Sequence, residues 1–332
     1  VDSNELTISR KRSGKGFVYR YASGTKITAK RVLQRINKLV IPPKWEQVRI
    51  AKDPKQALQV TGYDEKQRKQ YIYHPDWHAS QQRKKFERLS EFGLVLPEFR
   101  QYCWKQVEQP DWPVEKTLAL VCLLLDHTGL RAGNRQYTQS NNTFGLTTLR
   151  RKHVQHNDNS VQLAFIGKHN KNRRVDIEDP ELANLVAQSA DERGYALFRY
   201  EDKNGWHDVD ASDVNGFIHS HLGEAFTCKD FRTWGASRYG LLSLPEVREY
   251  IAKNQRRKWA PSLTSHVARM LGNTPTVCRK YYLHPQLISL VDNHEQREKT
   301  TEQVAEYLSG KDHNDILSHS ELLLSRVITP SQ

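Results

Sequence analysis

The chain has 332 residues, 37% of them apolar, and 51 Lys and Arg against 38 Asp and Glu give a net charge of +13. That length accommodates about two domains. The longest purely apolar run, Leu118–Leu125, is eight residues, far short of the ~20 that cross a bilayer as a helix, which excludes a membrane-spanning protein. No charged segment followed by an apolar stretch opens the chain, so secretion is not expected.

In chain order, residues 1–80 read as a small β-rich domain. Gly16–Tyr21 is predicted as a strand, with Ala22-Ser23-Gly24 turning it. Thr28 is placed to cap a helix through Asn37, on which Val32, Leu33 and Ile36 recur at helical spacing. Ile41-Pro42-Pro43-Lys44-Trp45 stops it, because two prolines cannot continue a helix. Val48–Ala51, Leu58–Thr61 and Gln70–Tyr73 are the next strands, the last two joined by a turn at Asp64–Gln67. The polar stretch around His78–Lys85 reads as carrying the linker into a helix.

Residues 81–332 are predicted as a larger, mainly helical domain, so the fold class is α+β. Pro113 opens a strong apolar helix that stops at Thr128-Gly129. Val161, Leu163 and Phe165, then Val175 and Ile177, alternate with polar neighbours around Gly167–Asn172, which makes a hairpin with a basic tip. Helices return over Asp213–Leu222, Phe231–Ser243, Leu244–Ala252, Ser262–Leu271 and Thr276–Tyr282. Helical spacing of Val304 and Leu308 suggests that the tail packs.

The positive charge is concentrated. Residues 1–80 carry a net +10 and residues 251–282 a net +7, whereas the tail from 283 on is −4. Two separated basic blocks point to a polyanion partner, held in a salt-dependent way. Cys103, Cys122, Cys228 and Cys278 form no CxxC pattern, and the 14 histidines no HExxH, so reduced thiols and no metal are expected. Neither a phosphate-binding GxxxxGK[ST] loop nor a GxGxxG is present.

A basic protein of this kind that acts on nucleic acid must use side chains alone. It needs cations for the non-bridging phosphate oxygens, a proton donor and a nucleophile. Three places supply them. Arg131 lies among small residues in Thr128-Gly129-Leu130-Arg131-Ala132-Gly133-Asn134. Arg232 lies in Lys229-Asp230-Phe231-Arg232-Thr233-Trp234. Asn273, Tyr281 and Tyr282 close the segment from Leu271. Arginine suits phosphate because its planar fork binds two oxygens and stays charged.

The order Arg131, a hairpin Lys, Lys229-x-x-Arg232 and Gly272-Asn273, with Tyr282 nine positions on, resembles the catalytic set of type IB DNA topoisomerases, most closely the short poxviral and bacterial branch. Gly62-Tyr63-Asp64 with Arg68, Gln70, Tyr71 and Tyr73 resembles that branch's DNA-contacting hairpin. Ile41-Pro42-Pro43-Lys44-Trp45 and Tyr73-His74-Pro75 resemble its bacterial subgroup. The resemblance implies that Tyr282 attacks a DNA phosphate to form a 3′-phosphotyrosyl link, and that Arg131 and Arg232 hold the non-bridging oxygens. It implies that Lys168 protonates the leaving 5′-oxygen, with Lys171 as fallback. Tyr281 is the rival nucleophile, but the nine-residue step selects Tyr282.

Asn273 stands where many members carry His. It can donate a hydrogen bond but cannot titrate. Lys229 matches a lysine near the scissile phosphate and Tyr137 a phosphate-contacting tyrosine. Arg68, Gln70, Tyr71 and Tyr73 would reach the major groove and backbone from a DNA-binding domain over residues 1–80. The resemblance implies a monomer on double-stranded DNA, relaxing supercoils of both signs with no nucleotide cofactor and no metal, in the bacterial nucleoid. Two alternatives stay open. A tyrosine recombinase or integrase shares the catalytic fold, although Lys229 here stands where those enzymes usually place His. A basic DNA-binding protein without activity is the other.

Overall fold

The computed structural model describes residues 5–157, 160–254, 256–309 and 313–329. The chain divides into two compact units, Val1–Lys85 and Phe86–Gln332.

The first unit is built on a five-stranded antiparallel sheet. Its strands are β1 (Ile8–Ser13), β2 (Gly16–Arg20), β3 (Glu46–Ile50), β4 (Leu58–Tyr63) and β5 (Lys69–Tyr73), in the order β2-β1-β3-β4-β5. Helix α1 (Lys30–Lys38) buries Ile36 with Ile8, Ile27, Val48, Ile50 and Val60. Strand β1 is not evident in the sequence, because only Ile8 and Arg10 of it are buried. Ala29, not Thr28, occupies the helix N-cap, and no side chain caps it there.

Two of the sequence motifs have a packing reason. A Cβ on Gly62 would lie 3.0 Å from the ring of Trp45, so the glycine lets β4 seat the end of the Ile41–Trp45 segment. Arg10 pins that segment, donating to Pro42 O at 3.0 Å and Trp45 O at 2.7 Å. The stretch around His78–Lys85, expected to carry a linker into a helix, is itself helical, within α2 (Pro75–Glu87). Polar residues do not by themselves break a helix, and Pro75 at its first position has the preset φ that starts one.

The second unit surrounds helices α3 (Leu89–Val107), α4 (Val114–Thr128) and α8 (Cys228–Leu242), with α5 (Arg135–Asn141), α6 (Pro180–Asp191) and α7 (Ala211–Leu222) between them in sequence. Helix α4 is buried from Lys116 to Asp126, as its all-round apolar sequence requires. The Trp234 ring of α8 lies fully buried against Phe92 of α3. At Gly93 the two helices pass so closely that a Cβ would penetrate that ring.

The predicted hairpin is two strands of three. Strands β6 (Val154–Asn157), β7 (Ser160–Gly167) and β8 (Lys171–Ile177) form an antiparallel sheet, with Lys168–Asn170 at the tip. Strands β9 (Arg199–Asp202) and β10 (Gly205–Asp208) make a second, small hairpin. After α9 (Leu244–Ala252) come α10 (Trp259–Leu271), α11 (Pro275–Tyr281), α12 (Pro285–Asp292), α13 (His294–Leu308) and α14 (His313–Ile328). Val304 is buried, Leu308 exposed, and α14 seats Leu323 and Leu324 in the core. No described helix is long and apolar enough to cross a membrane.

Glu321 of α14 is buried. Arg100 donates to it at 2.7 and 3.2 Å, Arg238 at 2.7 Å and the Trp234 indole N–H at 3.1 Å. The same two arginines bind Asp126 of α4, at 2.7 and 3.2 Å. Two cations and two anions therefore tie α3, α4, α8 and α14 together in the interior.

Candidate active site

The site forms where α4 and α10 end. Both helices stop at a glycine in the left-handed region, Gly129 (φ 59°) and Gly272 (φ 65°), a backbone state that L side chains adopt only with strain. Each stop frees a carbonyl, and Arg232 takes both. Its guanidinium donates to Gly129 O and, at 2.6 Å, to Leu271 O. Arg232 lies on the second turn of α8, whose start is fixed by a capping box between Thr227 and Asp230.

Arg131 follows in a loop with no regular structure. That loop is held by Leu146 N–H on Arg131 O (2.8 Å) and Thr147 N–H on Ala132 O (2.5 Å). Gly133 and Gly145 make this possible, since a Cβ on Gly145 would lie 2.6 Å from Gly133 Cα. The small residues around Arg131 thus admit the chain's own backbone. The Arg131 guanidinium donates to Asn273 Oδ1 at 2.5 Å.

Asn273 sits one residue past the Gly272 stop, its N–H on Ala268 O. Thr274 then caps α11 and Pro275 opens it, so two helical turns carry the chain to Tyr282. The Arg232 guanidinium lies 5.0 Å from the centre of the Tyr282 ring. Tyr281 has Lys280 over its ring instead, at 5.3 Å. Ser237, one turn along α8 from Arg232, brackets the Tyr282 backbone. Its hydroxyl donates to Tyr282 O at 3.3 Å and accepts from His284 N–H at 3.1 Å.

Among the described residues, two buried donors here have no partner, Arg232 Nε and Asn273 Nδ2. An unmet buried donor costs ~1–3 kcal/mol, and a pair of them beside a tyrosine suits an anion that arrives from outside. Burial, reinforced by Arg131, pushes the Arg232 guanidinium down to about 9, still cationic at neutral pH.

Thus Arg131, Arg232, Asn273 and Tyr282 are brought together from three separate segments. Lys168 stands exposed at the hairpin tip, where His169 and Asn170 adopt positive φ of 62° and 58°. Burial, then the charges of Lys168, Arg131 and Lys171, lower the pKa of His169, so the tip borders the Arg131 cation. Lys229 is exposed on the first turn of α8, and Tyr137 is exposed on α5.

The other four predicted contacts belong to the first unit. Arg68 and Gln70 both turn to Asp64, at 2.8 and 3.0 Å, and Arg68 holds that carboxyl down at about 2. Tyr71 is exposed and stacks with Tyr73, which stacks in turn on Trp77. Since alternate residues of β5 face opposite ways, Gln70 does not share a face with the tyrosines.

Sequence reasoning passes over Arg173 and Ser237. Arg173 donates to Met270 O at 2.9 Å, and burial with Arg131 nearby lowers its pKa. Only its inward place in the β7–β8 register with Phe165 singles it out.

Residues 67–308 fit the family model described as the eukaryotic DNA topoisomerase I catalytic core. The chain belongs to the type IB DNA topoisomerase family. Residues 16–64 fit the N-terminal domain of bacterial DNA topoisomerase IB. DNA topoisomerase 1B of Acanthamoeba polyphaga mimivirus is 30% identical over 294 residues, covering 86% of this chain and 88% of the viral protein. The DNA topoisomerase 1B of vaccinia virus is 22% identical over 242 residues, covering 69% of this chain and 71% of its own length. The chain is accordingly an enzyme of the type IB topoisomerase kind, with an α+β fold and DNA as its partner. Helix α14 lies beyond the matched catalytic core.

Proposed function

We propose that this enzyme relaxes positive and negative supercoils by cutting one strand of duplex DNA through Tyr282. The phenolic oxygen bonds to phosphorus and gives up its proton to water. The P–O5′ bond breaks, its electron pair stays on O5′, and Lys168 supplies the proton that makes a 5′-hydroxyl. Religation reverses each step after the cut strand has rotated. One phosphodiester is exchanged for another, so the bond energy is kept and no ATP is required. Arg131, Arg232 and Asn273 surround the non-bridging oxygens, where charge builds in the transition state.

The observation that carries this reading is the pair of unpartnered buried donors, Arg232 Nε and Asn273 Nδ2, beside the Tyr282 ring. Single donors of this kind contribute about 10²–10³ in rate, and a general acid about 10²–10⁴. Asn273 contributes only as a donor, because an amide does not titrate. Lys229 and Tyr137 would contact backbone phosphates, and Arg68, Gln70, Tyr71 and Tyr73 the duplex, once Arg68 and Gln70 leave Asp64. The enzyme would work as a monomer, on nucleoid DNA.

The test is relaxation of positively and negatively supercoiled plasmid in EDTA without ATP, with Tyr282→Phe as control. Relaxation of both by the wild type and neither by the variant supports the proposal, as does a denaturant-trapped protein–DNA adduct at the 3′ end. Binding without relaxation or adduct would refute it and turn attention to a site-specific recombinase.

A further inference from the structure

We infer that Arg173 is a positioning residue that locks the Lys168 hairpin onto the Asn273 turn. This rests on the proposed role of Lys168 as proton donor. The side chain of Arg173 leaves β8 and crosses two glycines in succession. A Cβ on Gly167 would lie 2.9 Å from Arg173 Cγ. A Cβ on Gly272 would lie 3.1 Å from its Cδ and 2.8 Å from its Cζ. Gly167 directly precedes Lys168, and Gly272 directly precedes Asn273. One side chain therefore lies flat on the backbone just before each of two site residues.

The far end is anchored as well. Nη2 of Arg173 donates to Met270 O at 2.9 Å, in the last turn of α10. The stem is held by van der Waals contact and the head by a charge-assisted bond to a helix C-terminus, where cations are favoured. Lys168 itself is exposed, on a three-residue tip with two consecutive left-handed residues. Such a tip has little to hold it except the strand pair beneath, Gly167 with Lys171 and Phe165 with Arg173. Arg173 supplies the missing link across to the helical side of the site. Its guanidinium is committed to Met270 O, so it acts on the reaction through Lys168 and touches no substrate atom.

The experiment separates proton donation from every other role. Single-turnover cleavage is measured on two duplexes, one with the ordinary phosphodiester and one with sulfur in place of the bridging 5′-oxygen. A thiolate, with a thiol pKa near ~8.5, leaves without a proton, whereas an alkoxide does not. Lys168→Ala should cut the ordinary duplex about 10²–10⁴ times more slowly and the sulfur duplex near the wild-type rate. Arg173→Ala should show the same pattern at a smaller size, roughly 10–100-fold on oxygen and near wild type on sulfur. The double variant should be no slower than Lys168→Ala alone, since the two act as a unit.

Arg173→Met keeps the stem over Gly167 and, as far as the δ position, over Gly272, losing the guanidinium with its anchor, and it serves if the alanine variant does not fold. Slowing on both duplexes, additivity in the double variant, or no slowing at all would overturn the inference. Failure of sulfur to rescue Lys168→Ala would instead overturn the proton-donor reading on which it rests.

Discussion

Replacing Glu321 by Ala tests whether the C-terminal helix is part of the catalytic unit. The substitution removes the acceptor of three guanidinium N–H bonds, two from Arg100 and one from Arg238, and of the Trp234 indole bond. All four groups lie in the interior, and Glu321 is 5% exposed. What remains is Asp126 facing two arginines, a buried net charge of one. Breaking a buried pair by removing one partner costs about 3–5 kcal/mol. An unsatisfied indole N–H costs about 1–3 kcal/mol by itself, which keeps the total off the low end of that range. For a cooperative unit of this size each kcal/mol lowers Tm by about 2–4 °C, so a loss of about 4 kcal/mol predicts a fall of roughly 8–16 °C. Glu321→Gln keeps an acceptor for Trp234 and should fall less. Circular dichroism melting at neutral pH, repeated in high salt, measures both. The loss should persist in salt, because buried pairs are poorly screened. A fall of under ~1 kcal/mol, or one abolished by salt, would refute the buried network.

Three further perturbations probe the same unit. Gly93→Ala should destabilise by at least ~1–3 kcal/mol in thermal melts, since the new Cβ meets the rigid Trp234 ring and α3 must shift. Ser237→Ala should slow cleavage about tenfold with DNA affinity unchanged in a binding titration, because the hydroxyl brackets the Tyr282 backbone and not the substrate. His284→Asn concerns pH. Burial holds His284 at about 4 against an ordinary 6.5, so in acid the unfolded chain binds its proton first. Its stabilisation is full above 6.5 and lost as pH falls toward 4. Asn keeps the cap on Gln286 N–H, which His284 Nδ1 now provides, so urea melts across that window should show a shallower slope. His153, also held at about 4, retains part of it.

Where one local rule governs, the sequence is readable. Helix α4 has an apolar face on every side, Pro113 before it and Gly129 after it, and its ends fall where those residues place them. Strands β4 and β5 follow from alternation and the Asp64–Gln67 turn. Strand β1 escapes because Ile8 and Arg10 face the core while the rest is polar. Helix α2 escapes because its apolar residues are sparse and only Phe86 is buried. The site shows the same divide. Arg131, Arg232, Asn273 and Tyr282 are legible together through their order and spacing. Arg173 is not, because the Gly272 backbone and the Met270 carbonyl that it meets lie about 100 positions away in the chain. Similarly, nothing around Glu321 in the acidic tail announces two arginines more than 80 positions away.

The arginines of this unit are of two kinds. Arg100 and Arg238 are matched by carboxylates, whereas among the described residues Arg131, Arg173 and Arg232 meet amide and peptide oxygens and, for Arg232, the Tyr282 side chain, but no carboxylate. Helix termini orient these three cations without cancelling them. An arriving phosphate has no acidic side chain to displace, and the resting enzyme bears an internal pressure of like charges that the surrounding helices contain. Occupancy of the site by an anion relieves that pressure, so resistance to heat becomes a gauge of how full the site is.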